Sequence, residues 1–230
     1  MLEIRNLIFN PFQENCYVAI SEGGSCIVVD PGCTDAREEE QLLKAIEGKH
    51  LEAVLLTHGH LDHVGGAAML QRKFGVKVYM NLEDRDMPSR QSMLLDYLGV
   101  DALDTSFEIT ALEDNQALEC GDFKLKVITT PGHTPGGVCI LLEQEKILFT
   151  GDTLFSGTIG RTDLEGGDYD SLIKSVMDKV MGLDGDIDIL PGHGRKSNIG
   201  WERTHNPFLE PWGEPEEPFN PDAEPISLHA

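Results

Sequence analysis

"THGHLDHVGG", Thr57 to Gly66, sets His58, His60, Asp62 and His63 within six positions, at the end of the apolar run "LEAVLLT". A tetrahedral zinc takes four ligands, but a loop this tight is poorly suited to wrapping all of its side chains around one ion. His58 and His60 are two residues apart, so on extended backbone they point the same way, whereas on a helix they diverge. They suit one ion. Asp62 and His63 are adjacent and would point apart in a strand, but a turn into a helix expected from Val64 can bring both to a second ion. Gly65 and Gly66 permit that turn. The loop therefore reads as a device for two metals.

Three more apolar runs, "LKVITTPGH", "KILFTGD" and "DIDILPGH", likewise end in a turn and present His133, Asp152 and His193. Side chains offered from neighbouring strand ends converge on one cleft in α/β sheets. His133 accordingly completes the first set, His193 the second, and Asp152 bridges the two ions. A lone histidine is more often a hydrogen-bonded surface residue, which is the reading for His50, His205 and His229, and a lone aspartate after a strand is usually a cap. Four strand ends carrying five histidines and two aspartates exceed what capping explains. Closed structural zinc sites are typically rich in cysteine, which this set lacks, so a catalytic centre is expected. Histidine and carboxylate ligands suit two divalent ions, zinc first, with iron or manganese as the other metals these donors accept.

The chain has 230 residues, 40% hydrophobic and 25% charged, with a formal net charge of -22. Residues 1–209 are expected as a single domain that carries this metal centre. Residues 210–230, "EPWGEPEEPFNPDAEPISLHA", are rich in proline and acids and are expected as a tail on its surface. So acidic a chain argues against nucleic acid and anionic membranes as partners, because both need a basic face. The opening "MLEIRNLIFNPFQENCYVAI" alternates apolar and polar residues instead of showing a signal peptide's apolar stretch. Five scattered cysteines form no CxxC and read as buried thiols, which points to the cytoplasm.

Strands are predicted at Leu2–Phe9, Cys16–Ser21, Ser25–Asp30, Leu51–Thr57 and Val76–Met80, with helices at Thr34–Lys49, Val64–Phe74 and Glu83–Leu98, the last interrupted by Pro88. Further strands follow at Phe107–Ile109, Ala117–Glu119, Phe123–Thr129, Gly137–Leu142, Lys146–Thr150 and Ile187–Leu190, with a helix at Tyr169–Met181. Each half runs from several strands into a helix. The expected fold is α/β, two sheets face to face with helices outside, in a four-layer αββα sandwich.

The set "THGHLDHVGG", "PGHTPGG", "FTGDTLF" and "PGHG" resembles the metallo-β-lactamase superfamily of hydrolases, over about Leu2 to Leu209. Within it, "FNPFQENCYV", "SGTIGRTDLEGGD" and "GWERTHNPFL" look like the short glyoxalase II-like, hydroxyacylglutathione hydrolase-like branch. The resemblance implies the αββα metallo-β-lactamase-like fold and thioester hydrolysis. It also implies His58, His60 and His133 on one metal, Asp62, His63 and His193 on the other, and Asp152 between. A bridging aspartate is shared by the superfamily's hydrolases of thioesters, lactones and RNA and is absent from true lactamases. Glyoxalase II enzymes hold glutathione with a basic helical C-terminal region, whereas here the acidic tail follows. Arg161 is then the expected contact for an anionic thioester, with a buried salt bridge to Asp163 or Asp168 as its alternative role.

Two divalent ions about 3.5 Å apart lower the pKa of a shared water until a bridging hydroxide exists at neutral pH, and they clamp the oxyanion formed on attack. Asp62 is expected to orient that hydroxide as well as bind metal. A thiol leaves as thiolate, with a pKa of about 8.5, so no strong general acid is required. Persulfide dioxygenases are the rival enzyme class, because they carry a segment like Gly160–Asp163 and use one iron held by two histidines and one aspartate. A non-catalytic metal-binding module stands third.

Overall fold

A computed structural model of the chain describes residues 2–100 and 102–209. The expected tail at 210–230, and His229 within it, lie outside the described residues.

Six strands form the first sheet in sequence order: β1 (Glu3–Phe9), β2 (Glu14–Ile20), β3 (Ser25–Val29), β4 (His50–Leu55), β5 (Lys77–Met80) and β6 (Ile109–Ala111). The first two pairings are antiparallel and the next three parallel. The second sheet begins with the antiparallel run β7 (Ala117–Cys120), β8 (Phe123–Thr129), β9 (Val138–Leu142) and β10 (Ile147–Gly151). A separate two-stranded hairpin follows, β11 (Leu154–Phe155) with β12 (Thr158–Ile159). The chain then returns to the second sheet as β13 (Asp188–Pro191), parallel to β10, and β14 (Ser197–Asn198), antiparallel to β13.

Alternation along the strands explains the layers. On the first sheet Tyr17, Ala19, Ile27, Val29, Ala53 and Leu55 face Leu125, Val127, Ile140, Leu142 and Phe149 of the second, forming the inner core. Their neighbours Val18, Ile20, Val28 and Val54 point the other way, onto Leu42, Ile46 and Leu70 of the covering helices. Cys139, Leu141, Leu148 and Ile189 do the same on the second sheet, against Leu172, Ile173, Val176 and Val180. Central strands buried on both faces read as continuous apolar runs, which is why "CIVV" and "VCILL" show no polar alternation. The expected αββα sandwich is what the chain forms.

The helices are α1 (Ala36–Ala45), α2 (Leu61–Val64), α3 (Ala67–Phe74), α4 (Met87–Arg90), α5 (Ser92–Leu98), α6 (Tyr169–Ser175) and α7 (Ile199–His205). Asp35 caps α1 by accepting from the backbone N–H groups of Arg37 and Glu38, with Glu38 and Glu39 in the first turn and Lys44 in the last, as the helix dipole favours. The helix expected from Val64 instead starts at Leu61 and breaks at Gly65–Gly66. Pro88 lies in the first turn of α4, which tolerates its missing N–H, instead of interrupting one longer helix. The strand expected at Phe107–Ile109 lies two residues later, at Ile109–Ala111. Past Ser175 the expected helix continues as a π turn over Val176–Val180. Among the described residues no helix is long and apolar enough to cross a membrane.

Candidate metal centre

Because β8 and β10 are both antiparallel to β9, and β13 is parallel to β10, the C-terminal ends of all three reach one edge of the second sheet. His133, Asp152 and His193 follow those ends. The loop after β4 in the other sheet supplies His58 and His60, and Thr57 is tied across by its carbonyl, which accepts from Val138 N–H at 2.8 Å. Asp62 and His63 lie inside α2, not on a turn before it, and the helical turn brings both inward.

Three groups result, each with ligand atoms within 4.8 Å of one another: the expected triads His58, His60 and His133, and Asp62, His63 and His193, and a third in which Asp30 stands behind His58 and His63. Asp152 reaches both expected triads. Its Oδ2 is 3.4 Å from His133 Nε2 and 3.6 Å from His193 Nε2, and its Oδ1 is 3.6 Å from His63 Nε2. All seven residues expected at the centre are therefore brought together. His50 instead pairs with Glu52 at the surface, and His205 stacks on Trp201 with ring centroids 3.8 Å apart.

The hydrogen bonds on the far side of each ring show which nitrogen faces inward. The carbonyls of Arg161 and Phe12 accept from His133 Nδ1 at 2.7 Å and His193 Nδ1 at 3.0 Å, so those nitrogens carry protons. Thr57 gives its hydroxyl proton to Asp30 at 2.6 Å and can only accept from His58 Nδ1, 3.0 Å away. Asp30 likewise faces His63 Nδ1 at 3.1 Å. In their neutral forms each of these four rings turns an Nε2 lone pair to the centre. His60 Nδ1 sits 3.1 Å from His58 Nε2 and 3.0 Å from His133 Nε2. With two lone pairs already facing it, His60 Nδ1 supplies at most one proton between them, so the cluster holds more acceptors than protons, an excess that a cation satisfies. Asp152 Oδ1 is buried without any hydrogen-bond partner. The donor set fits divalent metal ions.

The two sets differ electrically. Burial, reinforced by the neighbouring imidazoles, holds His58 well below the ordinary imidazole range, and burial with His133 brings His60 down to about 3. Burial pulls His63 the same way, but Asp62, Asp152 and Asp30 outweigh it and raise its pKa to about 10. In the chain alone the carboxylate-rich side thus retains a proton that a metal ion would displace.

Four supporting residues carry no mark of their role in the motifs. Buried Asp30 orients His63 and Thr57. Buried Asp84 accepts from Gly59 N–H at 3.0 Å, the Thr134 hydroxyl at 2.7 Å and Gly136 N–H at 2.7 Å, fastening the His60 loop to the His133 loop. Asn15 donates to the carbonyls of Pro191 and Gly194 at 3.0 and 2.9 Å, clamping the His193 turn. Glu14 is fully buried and neither side-chain oxygen has a hydrogen-bond partner. Asp30 ends the apolar strand β3 as Asp152 ends β10, a signal that could have found it; Asp84 sits among surface acids with none.

Above the metal centre lies a cavity of about 390 Å³ with apolar walls from Phe12, Leu94, Phe155, Ile159 and Leu164. Arg161 also lines it. Its guanidinium is held by Asp163 through two bonds of 2.8 Å, and this salt bridge is exposed where a buried one was expected. Asp168 takes no part and caps α6.

The family model for the metallo-beta-lactamase superfamily matches residues 9–193. The chain belongs to that superfamily. It is 38% identical over 206 residues to the hydroxyacylglutathione hydrolase GloC of Haemophilus influenzae, covering 86% of this chain and 93% of that protein. Among solved structures it resembles the BLEG-1 B3 metallo-beta-lactamase, with a TM-score of 0.81, 33% identity, and 90% and 99% of the two chains covered. It also resembles TTHA1623 in a di-iron-bound form, with a TM-score of 0.78, 32% identity, and coverage of 89% and 100%. Its histidine and aspartate clusters are those of a superfamily of metal-dependent hydrolases.

Proposed function

We propose that the protein is a dinuclear metal-dependent hydrolase of acyl-thioesters of the S-acylglutathione class. His58, His60 and His133 hold one divalent ion, Asp62, His63 and His193 the other, and Asp152 both. The observation that carries this reading is the place of Asp152, within 3.6 Å of a histidine nitrogen from each triad. Two divalent ions in these sets supply a water of lowered pKa and positive charge for the oxyanion of the attacked carbonyl. Zinc is the first choice, and the di-iron form of TTHA1623 supports iron as the next.

Asp62 is ionised at neutral pH: burial alone would raise its pKa, but His63 and His193 outweigh that and hold it well below the usual range. It can accept a hydrogen bond from the attacking water and fix its orientation. The apolar cavity walls seat the acyl group and exclude bulk water, and a thiolate departs without a strong acid. The named activity of the Haemophilus relative supports the substrate class. Five buried free cysteines support a reducing, cytoplasmic setting.

The test combines elemental analysis with substrates. Two metal ions per chain and thiol release from S-acylglutathione, at equal rates with and without oxygen, are expected. Oxygen uptake driven by glutathione persulfide with one iron per chain, and no thiol release, would overturn the reading in favour of a dioxygenase. A chromogenic β-lactam belongs in the same screen because of the likeness to BLEG-1. Turnover of the lactam alone would equally overturn it.

A further inference from the structure

Arg161 is not the free cation beside the metal centre. Arg5, Arg37, Arg72, Arg90 and Arg161 each pair with a carboxylate. Arg195, two residues past His193, has its Nε bonded to Ser156 Oγ at 3.0 Å, and among the described residues no carboxylate pairs with it. Neither terminal nitrogen has a hydrogen-bond partner among the described residues. The Ser156 oxygen accepts from Arg195, so its own hydroxyl proton is free for another acceptor.

These two side chains line a second cavity of about 270 Å³, together with Phe155, Thr158, His193 and Gly194. Phe155, Thr158 and His193 also line the larger cavity, so the two spaces are neighbours across these three side chains, of which His193 belongs to the candidate metal centre. The framework behind them is fixed. Asn15 holds the Gly194 carbonyl at 2.9 Å, and buried Glu202 accepts from Gly157 N–H at 2.8 Å, anchoring the hairpin that carries Ser156. One wing is apolar and the other presents an unpaired guanidinium with a hydroxyl donor.

We propose that the Arg195–Ser156 wing binds a carboxylate of the thiol carrier, while the apolar wing receives the acyl group. This subsite rests on the thioester reading above. A single guanidinium fork matches one carboxylate, whereas a multiply charged phosphate in a protein of net charge -22 would call for several cations. The thioester then lies across the metal centre with its two ends sorted by polarity.

Binding tests the subsite apart from turnover. The probes are S-butylglutathione, a thioether that cannot be hydrolysed, and its diester, in which both carboxylates are masked, titrated calorimetrically into the metal-loaded protein. Wild type is expected to prefer the probe with free carboxylates about tenfold or more, as a charge-assisted contact provides. Arg195→Ala should bring that ratio close to one, and Arg195→Lys should retain part of it. An unchanged ratio in Arg195→Ala, no preference in wild type, or stronger Arg195-dependent binding of S-butyl coenzyme A would each overturn the carboxylate assignment. If the preference holds but wild type hydrolyses no S-acylglutathione, the subsite stands and the hydrolase reading falls.

Discussion

Asp30 and His63 form a fully buried pair, with the carboxylate 3.1 Å from Nδ1 of the ring, and the same carboxylate also accepts from Thr57 N–H at 2.7 Å. It therefore sets the ring orientation at one triad and, through Thr57, the tautomer of His58 at the other. Asp30→Asn presents an amide N–H to one of those donors. Metal affinity should fall by about 10- to 100-fold, as for other groups that orient ligands, with the fold retained. Competition against a fluorescent chelator measures it. Unchanged affinity would show that the rings are held by packing alone.

His133→Ala should abolish hydrolysis and lower metal content, because it removes an Nε2 that faces both His60 and Asp152. His205→Ala removes only a ring stacked on Trp201, outside the centre, and should leave metal content as in wild type. Elemental analysis of both variants decides. Equal loss would count against the ligand assignment.

Asp152→Ala should deplete both ions, since one carboxylate lies against both triads. Loss of one ion with the other fully kept would make Asp152 a terminal ligand.

How far the site is legible in the sequence depends on where each residue finds its partners. The seven central residues follow four apolar strands, and that pattern is written along the chain. The supporting residues are not: Asp84 and Gly136 meet across 52 positions and Asn15 and Gly194 across 179, so only the packed sheets bring them together. Helix starts fail for a local reason. Asp62 and His63 read as turn residues ahead of two glycines, but α2 begins one residue before Asp62, and the break falls at Gly65–Gly66 instead. The hairpin β11–β12 and helix α7, which build the Arg195 wing, leave no mark because short pieces carry little periodicity.

Gly192 packs closely against both His63 and Asp152. A Cβ there would collide with Asp152 Oδ1 and come within 2.7 Å of His63 Cε1. Gly192→Ala should therefore cost about 1–3 kcal/mol of stability, as overpacking does, and weaken metal binding on the Asp62 side. Urea unfolding and metal titration report the two effects separately. A variant that matches wild type in both would mean that the turn shifts aside freely.

Glu14 presents the sharpest electrostatic conflict. Its carboxyl has no hydrogen-bond partner, and burial, helped by Asp30, Asp62 and Asp152, pushes its pKa well above the carboxylate range. A Cβ at Gly32 would collide with both Glu14 Oε2 and the Asp62 carbonyl, so only glycine at position 32 leaves room for them. Above the unfolded pKa of about 4.3 the unfolded chain releases this proton and the folded chain keeps it, so the group's contribution to stability falls as pH rises. The slope is at most about 1.4 kcal/mol per pH unit for one proton. Glu14→Gln replaces the neutral acid with a neutral amide of similar shape and should remove this slope, gaining on wild type as pH rises above the unfolded pKa, over the range in which the folded chain keeps the proton. Chelator-treated protein is used so that only the chain's own charges act, and taking the difference between the two proteins cancels the contribution of His63, whose raised pKa also makes stability fall as pH rises. Parallel urea midpoints across that range would mean that Glu14 is ionised in the folded chain, and that some cation lies close enough to hold it so.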